Sequence, residues 1–366
     1  MKIVLFYHSL LSDWNHGNAH FLRGIATELI ARGNDVFIYE PENNWSLSNL
    51  LTEQHGEAAL QEFYTYYPLL KSIQYNAATL DLDVILKDAD LVLVHEWNEH
   101  GLVKKIGEYR KKFSFKLLFH DTHHRAVTER ESMKAYDLSQ YDGVLAFGGM
   151  IRDLYVKEGW TKRAWTWHEA ADTRIFKPAP SKGYEGDLVW IGNWGDDERT
   201  KELFEFLITP VKELKLKAKI YGVRYPDSAK KALADTGIEY GGWLPNFKAP
   251  EVFAKYRFTA HVPRGPYVRS LPGIPTIRPF EALACAIPLL SSPWQDSENL
   301  FTPGQDFQFA QNGGEMKKLM ERVLSDDAFV KIMTKHGLET IQQKHTCAHR
   351  VDELYAICEE LGVTNL

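Results

Sequence analysis

Apolar positions follow two alternating patterns along this chain: short unbroken runs, and longer stretches repeating at helical spacing. Lys2–Ser9 is an apolar run bounded by polar residues and reads as a strand. In the next stretch, Asn18–Arg32, Phe21, Ile25, Leu29 and Ile30 share one helical face, and Gly33 stops the pattern. Asp35–Glu40 reads as the second strand, and a helical stretch spans about Ser46 to Leu80. Asp90–His95, Phe115–His120, Asp142–Phe147 and Ala164–Trp167 follow as strands, with helices between most of them. From Ala170 to Glu185 the pattern lapses into a polar stretch holding Pro178, Pro180 and Gly183, a linker composition. A second series then runs through Leu188–Gly192, Lys217–Tyr221, Ile238–Gly241, Phe258–Pro263, Pro288–Ser291 and Phe307–Ala310. Helices near Gly313–Leu324, Asp327–Lys344 and Thr346–Leu361 complete it. This alternation predicts an α/β protein of two Rossmann-like, doubly wound domains facing each other across a cleft. The expected divisions are 1–172, a linker 173–186, 187–345, and a last helix in 346–366 that crosses back to the first domain.

A length of 366 residues suits two cores better than one. The net charge of −6 gives no basic stripe for nucleic acid and no pull toward an anionic membrane, so weakly polar or neutral substrates fit better. Cys285, Cys347 and Cys358 form neither a disulfide framework nor a zinc knuckle, which points to a reduced, cytoplasmic protein. The apolar start is too short for a signal peptide, and no run approaches the ~20 residues of a membrane span.

Ten of the 14 histidines precede the linker, and His8, His95, His120, His123, His124 and His168 sit just past strand ends, where such sheets build their sites. Within His120-Asp121-Thr-His-His-Arg125, Asp121 or a histidine has the chemistry to take a proton from a hydroxyl. These histidines lack a defined ligand spacing, so no metal site is expected. The loop Ser12–Asn18, holding His16, lacks both dinucleotide and P-loop glycine patterns. Asn18 either reaches the cleft or caps the helix that follows.

In the second half, Gly192-Asn193-Trp194-Gly195, Gly222-Val-Arg224 and Gly241-Gly-Trp243 each follow a strand. Their glycines permit close backbone approach to a ligand, and Trp243 would wall a nucleobase. Arg264 and Arg278 bracket a Gly/Pro loop and suit phosphate. That loop runs into Arg278-Pro-Phe-Glu-Ala-Leu-Ala-Cys-Ala-Ile-Pro288. Pro279 suits a first helical turn, whose free amides favour an anion, and Glu281 lies one turn inside. Phosphate on those amides and a ribose diol on Glu281 is what a nucleotide-sugar needs.

The stretch resembles the donor signature of GT-B glycosyltransferases. Further segments resemble the spore-maturation (CgeB-like) type of that group: Asp13-Trp-Asn-His-Gly-Asn18, His120-Asp121, Ala146-Phe-Gly148, Trp167-His-Glu-Ala-Ala-Asp172, Phe176-Lys-Pro178 and Lys344-His-Thr-Cys-Ala-His-Arg350. The resemblance implies a transferase taking a nucleotide-diphosphate sugar, a UDP-sugar by preference, as substrate, with no separate cofactor and no essential metal. Glu281 would hold the ribose, amides near Thr276 and Ile277 the diphosphate, and Asp121, His120 or His16 would be the base of an inverting reaction. His95, His123, His168 and Asn18 would line the acceptor side. One departure stands out. Many retaining members carry a second glutamate eight residues before the first, and here that position is Gly273. Sugar-nucleotide epimerases or hydrolases, and a non-catalytic binding scaffold, therefore remain as rivals.

Overall fold

Strands that read as unbroken apolar runs are buried on both faces, as the middle of a parallel sheet requires. The computed structural model describes residues 1–363. Its first sheet has seven parallel strands in the order β3-β2-β1-β4-β5-β6-β7. These are β1 (Lys2–Phe6), β2 (Asp35–Pro41), β3 (Ser72–Tyr75), β4 (Leu91–His95), β5 (Lys116–Asp121), β6 (Gly143–Ala146) and β7 (Ala164–Thr166). Ile3 to Phe6 of β1 and Leu91 to Val94 of β4 are all but inaccessible and pair with each other in register. The second sheet has six parallel strands in the order β10-β9-β8-β11-β12-β13. They are β8 (Gly186–Ile191), β9 (Ala218–Tyr221), β10 (Glu239–Tyr240), β11 (Tyr256–His261), β12 (Leu289–Ser291) and β13 (Gln308–Phe309).

The chain forms two compact units, Met1–Glu169 together with the segment beginning at Cys347, and Ala170–Thr346. The first unit's opening helix, Ala19–Ala31, buries Phe21, Leu22, Ile25 and Leu29. It ends at Gly33, whose φ of +83° suits a helix stop that a β-carbon would strain. The last helix, Cys347–Glu360, belongs to this unit and packs on that opening helix. Arg32 reaches Asp352 at 2.6 Å and the Ala348 carbonyl at 3.0 Å, and Asn34 donates to the Tyr355 hydroxyl at 2.7 Å.

One sequence expectation fails. The helical stretch from Ser46 to Leu80 is two helices, Trp45–Leu50 and Gly56–Tyr66, followed by strand β3. The Asn44 side chain caps the first, accepting from the Leu47 amide at 2.8 Å. At Gly56 a β-carbon would stand 2.0 Å from the Leu50 carbonyl oxygen, so only glycine permits the close return that separates the helices. Strand β3 escaped notice because it is a four-residue edge strand with Ile73 exposed, so no buried run announces it.

Candidate functional site

In each sheet the chain winds outward in opposite directions from two adjacent central strands, and their carboxyl-terminal loops part to leave a crevice. In the first unit these strands are β1 and β4, and in the second β8 and β11.

At the first switch point the loop after β1 is fixed from beneath. Arg23, wholly buried, pairs with Asp13 at 2.8 Å and donates to the carbonyls of Leu10 at 2.8 Å and Leu11 at 2.9 Å. Glu40, also wholly buried, accepts the Leu10 amide at 2.5 Å. This holds His8 and His16 beside His95 of β4, with ring centroids 5.6 Å (His8 to His16) and 6.0 Å (His16 to His95) apart. His120 stands 5.6 Å further on, against Phe21 and Trp167. Asn18 makes no cap bond. Its amide instead donates to the Thr122 carbonyl at 2.9 Å and hydroxyl at 2.7 Å.

One of these contacts decides a tautomer. A ring N–H of His16 donates to the Ser9 carbonyl, and buried Nε2 has no protein partner, so Nδ1 carries the proton and Nε2 the lone pair. The Thr122 hydroxyl accepts from Asn18 and lies between Glu96 Oε1 at 3.3 Å and His95 Nε2 at 2.9 Å, while His95 Nδ1 is buried without a protein partner. Burial pushes His8 down to about 4 and His120 to about 3, and carries His16 and His95 well below the ordinary imidazole value. All four rings are neutral at pH 7.

Asp121 is not an open base. It is wholly buried, accepting the Tyr155 hydroxyl at 2.8 Å and the His123 amide at 3.1 Å. Burial raises it to about 6, and burial together with the Asp121 charge raises Glu96 well above the carboxylate range. Glu96 was not expected from the sequence, although it directly follows His95 at a strand end. His123 is half-buried against Trp97, 5.5 Å between rings. The His168 carbonyl accepts from Arg350 at 2.9 Å.

At the second switch point the loop Gly192–Trp194 closes on its neighbours. Asn193 accepts the Val223 amide at 2.9 Å, and the Gly192 carbonyl accepts the Tyr225 hydroxyl at 2.8 Å. At Gly222 a β-carbon would lie 2.1 Å from that same carbonyl. Arg199, half-buried over Trp190, donates to the carbonyls of Val262 and Asn193, each at 2.5 Å, and so ties the β8 and β11 loops together. Arg264 is bound to Glu198 at 2.5 Å, and Arg224 to Asp196 at 2.9 Å. A cavity of about 340 Å³ opens there, lined by Trp194, Asp196, Asp197, Arg224, Tyr225 and Pro226. Trp243 is half-buried in the loop after edge strand β10, following Gly242, whose carbonyl accepts the Gly222 amide at 2.8 Å.

The donor-type motif forms the helix Ile277–Ala284 with Thr276 at its cap position. Glu281 is wholly buried, held by the Asn246 amide at 2.7 Å on one oxygen and by Arg278 on the other. Thr276 approaches His261 Nε2 at 3.4 Å, and His261 Nδ1 meets the Ser291 hydroxyl at 3.0 Å. His261 and Asn246 were missed in the sequence, although His261 ends β11 just as His95 ends β4. Burial, then the charge of Arg199, lowers His261 to about 3. Gly273 has φ +88°, and a β-carbon on it would stand 2.4 Å from the Ser297 hydroxyl. Among the described residues no group of three or more His, Cys, Asp or Glu is arranged to hold a metal, and no helix is long and apolar enough to cross a membrane.

Residues 199–356 match a family described as glycosyl transferase-like. No curated protein matches the chain in sequence. Among solved structures, sucrose-phosphate synthase from Thermosynechococcus elongatus superposes with a TM-score of 0.65 at 13% identity, over 99% of this chain and 100% of that one. Anabaena HepE, captured with UDP and glucose, gives 0.68 at 12%, over 98% and 99%. An alpha-glucosyltransferase captured with UDP and a 13-mer DNA gives 0.69 at 12%, again over 98% and 99%. The chain has the fold of these GT-B glycosyltransferases.

Proposed function

We propose that this chain, GT-B in fold and glycosyl transferase-like over 199–356, moves a sugar from a UDP-sugar to an acceptor hydroxyl without an essential metal. The observation that carries this is Glu281. It is a buried carboxylate one turn inside a helix whose first amides are open to an anion, fixed by Asn246 and Arg278. Glu281 takes the ribose hydroxyls; the amides of Ile277 and Arg278, with Arg264, take the diphosphate. The UDP bound by HepE and by the alpha-glucosyltransferase supports uridine as the base. Three buried, free cysteines support a reducing, cytoplasmic setting.

In the transfer the acceptor oxygen bonds to the sugar's anomeric carbon as the bond from that carbon to the diphosphate oxygen breaks. UDP leaves with the electron pair, and the acceptor proton passes to a base. His16 suits that role better than Asp121 or His120. Its Nε2 lone pair is unpartnered and its ring neutral, whereas each oxygen of buried Asp121 already accepts a donor and His120 lies against two aromatic rings.

Gly273 favours a second reading, a sugar-nucleotide epimerase, hydrolase or binding scaffold, because its backbone excludes the glutamate found there in many retaining enzymes. Following UDP release from UDP-sugars separates these. Release that requires an added acceptor marks the transferase, acceptor-independent release a hydrolase, and binding without release a scaffold.

A further inference from the structure

We infer that the acceptor seated at the first switch point is an uncharged carbohydrate, not a phosphorylated or carboxylated one. This rests on the transferase reading and adds the substrate class.

Three half-buried indoles edge that crevice. Trp45 lies 4.7 Å from His8, 6.4 Å from Trp14 and 6.2 Å from Trp97, centroid to centroid. The rings pack on one another, one tilted and two edge-to-face, and what they leave half-exposed is apolar surface of the kind that meets the C–H groups of a sugar ring. Below them are two buried ring nitrogens without a partner, His16 Nε2, which carries a lone pair, and His95 Nδ1. His16 is 4% exposed and His95 0%. Both are unpartnered, which in a buried site marks a place for a ligand or water. Their ring centroids are 6.0 Å apart, so both nitrogens belong to one crevice, and a hydroxyl there donates its single proton to His16 Nε2.

The pattern selects by sign. A hydroxyl donates to a lone pair, and a charged sugar offers hydroxyls too, but its phosphate or carboxylate would then sit in this crevice without a free cation to balance it. The nearby cations are already engaged. Arg125, stacked 4.4 Å over Trp97, pairs with Glu129 at 3.1 Å and faces Glu96 at 3.5 Å, and Arg23 is bound to Asp13 and two carbonyls. The hydroxyl that lands on His16 is also the one positioned to lose its proton there.

The test is calorimetric titration of the full-length protein, at saturating UDP, with maltose, lactose, cellobiose and N-acetylglucosamine, against glucuronate and glucose 6-phosphate. At least one neutral sugar is expected to bind, with a change in tryptophan fluorescence, and the charged sugars at least about tenfold more weakly. Trp45→Ala should weaken that binding about threefold to tenfold and Trp45→Phe less, with UDP affinity unchanged in both as the sign of an intact fold. Charged sugars binding as tightly, or no neutral sugar binding to protein that binds UDP, overturns the inference. Failure to bind UDP at all strikes instead at the transferase reading.

Discussion

Mild acid should loosen the first unit, and the buried imidazoles set the size of the effect. His8 and His120 stay neutral in the folded chain, at about 4 and about 3, against an ordinary value of 6.5. A folded value below the unfolded one means that the stabilisation is full above pH 6.5 and is lost as pH falls toward the folded value. Between pH 7.5 and 5.5 the unfolded chain takes up most of a proton at each site while the folded chain takes up almost none. That costs about 1.4 kcal/mol per histidine, or roughly 3 kcal/mol for the pair. Asp121 acts oppositely: its folded value of about 6 lies above its ordinary 3.8, so protonation in the folded state returns roughly 1 kcal/mol over the same interval. The net loss is about 2 kcal/mol, a sizeable share of a domain's ~5–15. His16 and His95 add to it and Glu96 opposes it. Urea unfolding at the two pH values, with hydrogen exchange on β4 and β5 to locate the opening, measures the loss. His120→Gln should remove about 1.4 kcal/mol of the pH dependence. Stability at pH 5.5 equal to or above that at pH 7.5 would refute the reasoning.

Arg23→Met removes the ion pair to Asp13 and the donors to two interior carbonyls and should cost about 3–5 kcal/mol in urea unfolding; a loss under ~1 kcal/mol contradicts the role given to Arg23. Gly273→Ala meets both a positive φ and the Ser297 hydroxyl, so it should lower stability by about 1–3 kcal/mol in the same assay and raise no activity. Asn246→Ala releases one oxygen of Glu281 and should weaken UDP binding by about 1 kcal/mol, roughly fivefold by calorimetry, less than loss of Glu281 itself.

Most strands were legible because a parallel sheet buried on both faces writes itself as unbroken apolar runs, as in β1 and β4. Strand β3 was hidden by its short, half-exposed edge. The loops of the candidate site were legible by position, since His8, His16 and Gly192 to Trp194 follow central strands and His95 ends one. Partnerships were not. That Asn246 would hold Glu281, or that Glu96 would reach His95 through Thr122, depends on contacts 35 and 26 residues apart along the chain, which no local pattern records. Asn18 shows the same limit, since its position before a helix reads as a cap while its side chain crosses to Thr122. The comparisons reach the glycosyl transferase-like class and the GT-B fold without reaching the spore-maturation branch.

The central claim is that Glu281 marks a nucleotide-sugar donor site. Titrating UDP, GDP and ADP against the wild type, Glu281→Gln and Glu281→Ala tests it most directly. The account predicts that the wild type binds UDP in preference to the other two, and that both variants, folded by circular dichroism, lose at least about tenfold in affinity. Equal UDP affinity in all three proteins, or no nucleotide binding by folded wild type, would contradict it.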